Sequence, residues 1–314
     1  MGVKQNYRKV PFLSSYKVDI SRCIYPQHAA ETGRYSDMIK TLKLELKRAF
    51  CNRYFLIALL IGSAIALWQI IECVIPMIKW LDSVGLASGK SGAIPHSVFN
   101  KWLGVNFVSS QRFLYYLLLP LLAVLPHAGS YFGDIKSGYI KNIYMRTKRS
   151  NYIVSKYIAV FLSGAAAVAI PLLLNLGLTA ACLPSLAPEN TAGTFSIWPF
   201  TMWGELEILH PYIYTFLYIL IDAVYAGLLA TLALVFSFYL DNRFVVLFTP
   251  FLLYIFAYAV TDRVLGVPRL APLNYLQPVQ QYYAIPLVVF GVMALLLVAP
   301  LALFCIKGAR EDTF

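Results

Sequence analysis

Six apolar stretches set the limits of what this chain can become. They run approximately from Tyr54 to Ile75, Phe113 to Tyr131, Ile153 to Leu183, Tyr212 to Leu240, Phe244 to Thr261 and Ala284 to Ile306. Crossing a hydrocarbon core of about 30 Å takes roughly 20 helical residues, and each stretch is about that long or longer. Hydrophobic residues make up 59% of the chain and charged ones 13%, against about a quarter charged in soluble domains. The expected fold is an all-α membrane protein with six transmembrane helices over residues 54–307.

Charge orients it. With an even number of spans both termini share a side, and Lys and Arg accumulate on the cytoplasmic one. Of 26 such residues, 20 fall in the N-terminal segment, the connection from Phe132 to Lys156, the turn at Arg243, and the C-terminal end with Lys307 and Arg310. Lys79, Lys90, Lys101 and Arg112 in the first outer loop, with Arg263 and Arg269 in the third, make up the other side. Both termini are therefore expected in the cytoplasm. Orientation and anionic lipid account for the net charge of +11 without nucleic acid.

Residues 1–36 mix Tyr, Pro, Lys and Ser with no clear period and read as a cytosolic extension, disordered or lying on a partner. No apolar run precedes Tyr54, so no cleavable signal is expected. Residues 37–53 improve: Ile39, Leu42, Leu46, Ala49 and Phe50 share one helical face, edged by Lys40, Lys43, Lys47 and Arg48. That is the pattern of an interfacial amphipathic helix leading into the first span, although the alternation from Leu42 to Lys47 also fits a strand. Residues 308–314 are a short cytosolic tail.

Several chemistries are excluded by spacing. Val84 to Gly92, VGLASGKSG, approaches a nucleotide-binding loop, but three residues rather than four separate Gly85 from Gly89, and the segment follows a transmembrane helix in an outer loop. The histidines His28, His96, His127 and His210 and the five cysteines show no metal-ligand spacing, so no metal site is expected. No G-x-S-x-G elbow occurs. The chain reads as a non-enzyme.

Small residues recur every fourth position: Ala58, Gly62 and Ala66; Ala159, Ser163 and Ala167; Ala223, Gly227 and Thr231. Such stripes let helices approach closely, within one bundle or, for one of them, at a subunit interface. Trp80, Trp102, Trp198 and Trp203 in the outer loops are expected near the headgroups, on short interfacial helices.

Function points to the cytosolic connection from Ser130 to Tyr157, SYFGDIKSGYIKNIYMRTKRSNYIVSKY. Asp134 and Gly138 come first, then the apolar and aromatic run Tyr139, Ile140, Ile143, Tyr144 and Met145, then Arg146, Lys148 and Arg149. A basic loop on anionic lipid would need the cations but not the apolar run; docking into a partner's groove would use both. The chain here resembles the permease subunits of ABC-2 type ABC transporters, bacterial exporters in particular. The likeness covers most of Asp37 to Lys307: an amphipathic helix before six spans, then Asp134, Gly138 and the run from Arg149 to Lys156. It implies a coupling helix near residues 134–145 and two copies of a cytosolic ABC ATP-binding subunit carrying the ATP and Mg. It further implies a second permease subunit, most simply a homodimer, in a bacterial cytoplasmic membrane. Asp134, Gly138, Tyr139, Ile140, Ile143, Tyr144 and Arg149 are the expected coupling residues, and this chain itself would bind no cofactor.

One acid lies inside a span. Asp222 is about ten residues into the fourth, roughly 15 Å deep at the helical rise, and intramembrane acids face a partner or a path. His127 in the second span is the candidate partner by depth. Two function classes follow: an ATP-driven exporter of an amphipathic substrate, a peptide being favoured, or a proton-coupled secondary transporter or channel using Asp222 and His127. A membrane anchor without transport is a third.

Overall fold

The computed structural model describes residues 26–84, 97–106, 109–186, 201–279 and 283–310. Thirteen α-helices are described: α1 Pro26–Phe50, α2 Arg53–Gln69, α3 Ile75–Val84, α4 Val98–Lys101, α5 Ser110–Val124, α6 Ser130–Lys136, α7 Tyr139–Tyr144, α8 Arg149–Cys182, α9 Gly204–Leu209, α10 Pro211–Phe236, α11 Arg243–Tyr258, α12 Pro272–Tyr275 and α13 Pro286–Arg310. A π-helical turn, Ile70–Val74, joins α2 to α3, and another, Ala259–Val264, extends α11. Among the described residues there is no strand. The glycine-rich loop at residues 85–92 lies outside them.

Five helical stretches are long and apolar enough to cross a membrane: Arg53–Lys79, Arg149–Cys182, Pro211–Phe236, Arg243–Val264 and Pro286–Gly308. This is a multi-pass membrane protein. The expected second span differs, because α5 ends at Val124 and turns from Leu125 to Gly129 separate it from α6. Pro126 is the cause. It has no N–H to donate to the preceding turn, and its ring crowds a continuing helix. The broken segment nonetheless runs antiparallel beside α8. The Leu103 N–H donates to Asn175 Oδ1 (2.7 Å), the Tyr115 hydroxyl to the Val168 carbonyl (2.6 Å), and Lys156 Nζ reaches Asp134 (2.7 Å).

Helix α8 is the long central element, packed against α1, α2, α5, α10 and α13. Glycines set its closest crossings. A Cβ at Gly62 would lie 2.7 Å from Pro171 Cγ, one at Gly164 2.9 Å from the Ala123 carbonyl oxygen, and one at Gly227 2.7 Å from the Phe161 carbonyl oxygen. All three small-residue stripes are thus buried inside this chain's own bundle.

Helix α1 begins at Pro26, earlier than the boundary at residue 37, with proline in the first-turn position that tolerates it. Its residues Thr41, Glu45 and Ala49 form the buried face against α8, while Ile39, Leu44 and Phe50 stay exposed. Residues 1–25 lie outside the described part. On the opposite side, the segment from Ser97 to Asn106 is not an interfacial strap. It inserts between α2 and α8, where the Gln69 amide donates to the Lys101 carbonyl (2.7 Å) and Asn175 Nδ2 to Gln69 Oε1 (2.9 Å). Trp102 is consequently fully buried in protein rather than placed at headgroups. Trp203 is half-buried against Tyr218 and Phe290; Trp198 and the Trp80 side chain lie outside the described residues.

Candidate functional site: a closed ring of charge beside a short helix

The site begins with the elbow between α1 and α2. Asn52 accepts from the Phe55 N–H (2.8 Å) and caps α2, while its amide donates to the Arg48 and Ala49 carbonyls and to that of Pro126 (2.7 Å). One asparagine thereby satisfies the end of α1, the start of α2 and a carbonyl exposed by the break after α5.

This elbow brings Glu45 and Arg48 over the start of α8, where they meet Lys156 and Asp134. Arg48 Nη1 donates to Glu45 Oε1 (2.7 Å) and Arg48 Nη2 to Asp134 Oδ1 (2.7 Å). Lys156 Nζ closes the ring, donating to Glu45 Oε2 (2.9 Å) and Asp134 Oδ2 (2.7 Å). Each acid therefore touches both cations. Two outer groups complete it: the Tyr152 hydroxyl donates to Asp134 Oδ2 (2.7 Å), and His127 Nε2 lies 3.2 Å from Glu45 Oε2. A carboxylate only accepts, so that ring nitrogen carries the proton.

Two positive and two negative charges sum to zero, which is what permits their burial. An isolated ion in such a place would cost several kcal/mol. Burial alone would raise the Glu45 carboxyl, but the His127 hydrogen bond and the Lys156 and Arg48 charges prevail and hold it at about 2. The same contest, with Lys156 foremost against burial, holds the Asp134 carboxyl below its usual range. Both carboxyls of the ring therefore stay ionised at physiological pH. Arrangement and chemistry are those of a mechanical fastener joining α1, α6 and α8.

Above the ring stands α7. Gly138 adopts φ 69°, a left-handed conformation that costs glycine little, and this turns the chain between α6 and α7. The expected coupling residues separate here. Ile140 and Ile143 are 3% and 9% exposed, packed into the chain's own core. Tyr139 lies under the Arg48 guanidinium (4.9 Å) and Tyr144 under that of Arg149 (5.1 Å). Ile140 and Ile143 thus anchor α7 to its own bundle rather than facing a partner, while Tyr139 and Tyr144 are half-buried. An isolated two-turn helix needs such an anchor to persist. What α7 turns outward is Lys141, Asn142, Met145 and Arg146, with Met145 78% exposed.

Asp222 and His127 are both buried but not paired. Asp222 Oδ2 accepts from the Tyr116 hydroxyl on α5 (2.9 Å), whereas His127 lies beyond the end of α5, on Glu45. Asp222 Oδ1 has no hydrogen-bond partner among the described residues. Among those residues no group of three or more His, Cys, Asp or Glu could hold a metal ion.

Residues 86–312 match a family described as a protein of unknown function, DUF2705. The chain belongs to this family. The match takes in His127, Asp134, Tyr152 and Lys156 but begins after Glu45 and Arg48, so the DUF2705 region supplies one half of the ring and α1 the other. No curated protein matches, and neither does any solved structure.

The sequence reading missed Glu45, Arg48, Tyr152 and Lys156 as members of one site. A signal existed: Glu45 stands between Thr41 and Ala49 at i±4, an acid at the centre of a small-residue face flanked by Lys40, Lys43, Lys47 and Arg48.

Proposed function

We propose that this chain is the permease subunit of an ATP-driven transporter, moving an amphipathic substrate such as a peptide across the membrane. A separate cytosolic ATP-binding subunit, in two copies, would hold the ATP and Mg, and a second permease subunit would complete the path. The observation that carries this reading is the fastening of α7. A helix of six residues is held by buried isoleucines, cation-stacked tyrosines and the charge ring to α1 and to the 34-residue α8. Force applied to α7 would therefore move α1 and α8 as one body, the behaviour that rigid-body alternating access needs. The contact face becomes Met145 with Lys141 and Arg146, suited to an apolar pocket rimmed by acids. Met is well adapted to such surfaces.

The geometry also favours six crossings. The segment from Leu103 to Asp134 is bonded to α8 at Asn175 and at Lys156, 19 residues apart (175 − 156), which is about 28 Å of helix. Wherever α8 spans, the broken α5 segment spans beside it, and both termini then share the cytoplasmic side. A proton-coupled mechanism loses its Asp222–His127 pair and is the weaker reading.

The test is purification in mild detergent followed by transport in proteoliposomes. A co-purifying ATP-binding chain and uptake that requires ATP are expected. Uptake driven by a pH gradient alone, with no such chain, would overturn the proposal.

A further inference from the structure

Beside the charge ring lies an open cavity of about 650 Å³, between the α1–α2 elbow, the break after α5 and the turn before α11. Its level in the membrane is marked by its own walls, since Asn52 and Arg243 both line it and stand where two apolar spans begin. Its lining includes Arg243, the Arg48–Asp134 pair of the neutral ring, and the apolar Leu125, Phe244 and Leu247.

The charges do not cancel. Asp134 also lines the cavity, but its carboxylate is held by Arg48, Lys156 and Tyr152. The neighbouring Asp241 pairs with Lys136 at 3.3 Å. Arg243 forms no ion pair among the described residues; its guanidinium stands over the Tyr54 ring at 5.3 Å. A surplus cation at the rim of an apolar-walled hollow selects an amphipathic anion. From the same rim Phe244, Phe248, Leu252 and Phe256 follow at fourfold spacing down α11, a continuous apolar ridge. Phe244, Leu252 and Phe256 are exposed on it, and Phe244 and Phe248 stack at 5.1 Å.

We propose that this cavity binds the phosphate of an anionic membrane phospholipid at Arg243, beside the charge-neutral ring that holds Arg48, with an acyl chain along the Phe244–Phe256 ridge. The cavity supplies the site for the headgroup and the ridge distinguishes a lipid from free phosphate, which would have no use for it. The inference stands whether or not the chain is a permease subunit.

Gly133 offers a way to close the cavity without disturbing the cations. It lines the hollow, and a Cβ added there meets nothing within 4 Å. The full-length protein, equilibrated in micelles containing phosphatidylglycerol and phosphatidylcholine, is examined by native mass spectrometry, alongside Gly133→Leu and Arg243→Gln. The wild type should retain one phosphatidylglycerol in preference to phosphatidylcholine. Retention should fall by about tenfold or more in each variant, the scale of one lost charge-assisted contact, with thermal unfolding in phosphatidylcholine alone unchanged. Inorganic phosphate at millimolar concentration should not displace the lipid. Equal retention in wild type and both variants overturns the site, and displacement by inorganic phosphate overturns its assignment to a lipid.

Discussion

Lys156 is fully buried eight residues into α8, and its ammonium is tolerated there because two carboxylates meet it. Lys156→Met leaves Glu45 and Asp134 to share Arg48 alone, and breaking a buried pair from one side costs about 3–5 kcal/mol. Adding Glu45→Gln removes one stranded charge, so the double variant should recover part of that loss, a coupling readable in detergent unfolding. Additive losses would show that the ring does not act as a unit. Glu207 presents the opposite case. It is buried on α9 with Oε2 unpartnered among the described residues, and burial pushes its carboxyl up to about 8. Between the ordinary value of 4.5 and about 8 the folded chain holds a proton that the unfolded chain has released. Stability should therefore fall as pH rises through that window, and Glu207→Gln should flatten the profile of melting temperature against pH from 5 to 8. An unchanged slope would mean that another group is responsible.

Individual elements differ in how legible they were. The long spans follow from apolar length alone, and the place of α7 in a connection follows from the charged residues around it. What periodicity could not supply was the partner of each polar side chain: Glu45 meets Lys156 across 111 residues, a pairing that depends on the elbow at Asn52 and the break at Pro126. The apolar run at α7 was equally visible, yet a run of apolar residues does not say which side of its helix faces the bundle. Burial settles that Ile140 faces inward. Ile140→Asp should accordingly unfold the α6–α7 segment and expose it to protease, a structural failure rather than a selective loss of partner binding. Intact protease resistance in that variant would refute the packing described. The small-residue stripes were likewise plain in the sequence, while their place inside the bundle rests on contacts such as Gly62 with Pro171.

For the molecule as a whole, five long apolar helices and a broken sixth segment place the α7 face and the cavity beside the charge ring at one end of the bundle and the inserted loop at Trp102 at the other. In the proposed orientation, which rests on charge bias, the first end faces the cytoplasm. Cysteine introduced by Ser91→Cys in a chain otherwise free of cysteine should react with an impermeant reagent in intact cells, and reaction only after permeabilisation would invert the molecule.

In the proposed mechanism α7 transmits work between a separate ATPase and the bundle through Met145 and its basic neighbours. Met145→Glu keeps every buried contact of α7 and changes only the exposed tip. The direct measurement is the ATPase rate of the co-purified complex with and without transported substrate, in wild type and in this variant. The expected result is a folded protein of normal melting temperature that has lost the bound ATPase or its stimulation. Full retention of both in Met145→Glu would contradict it.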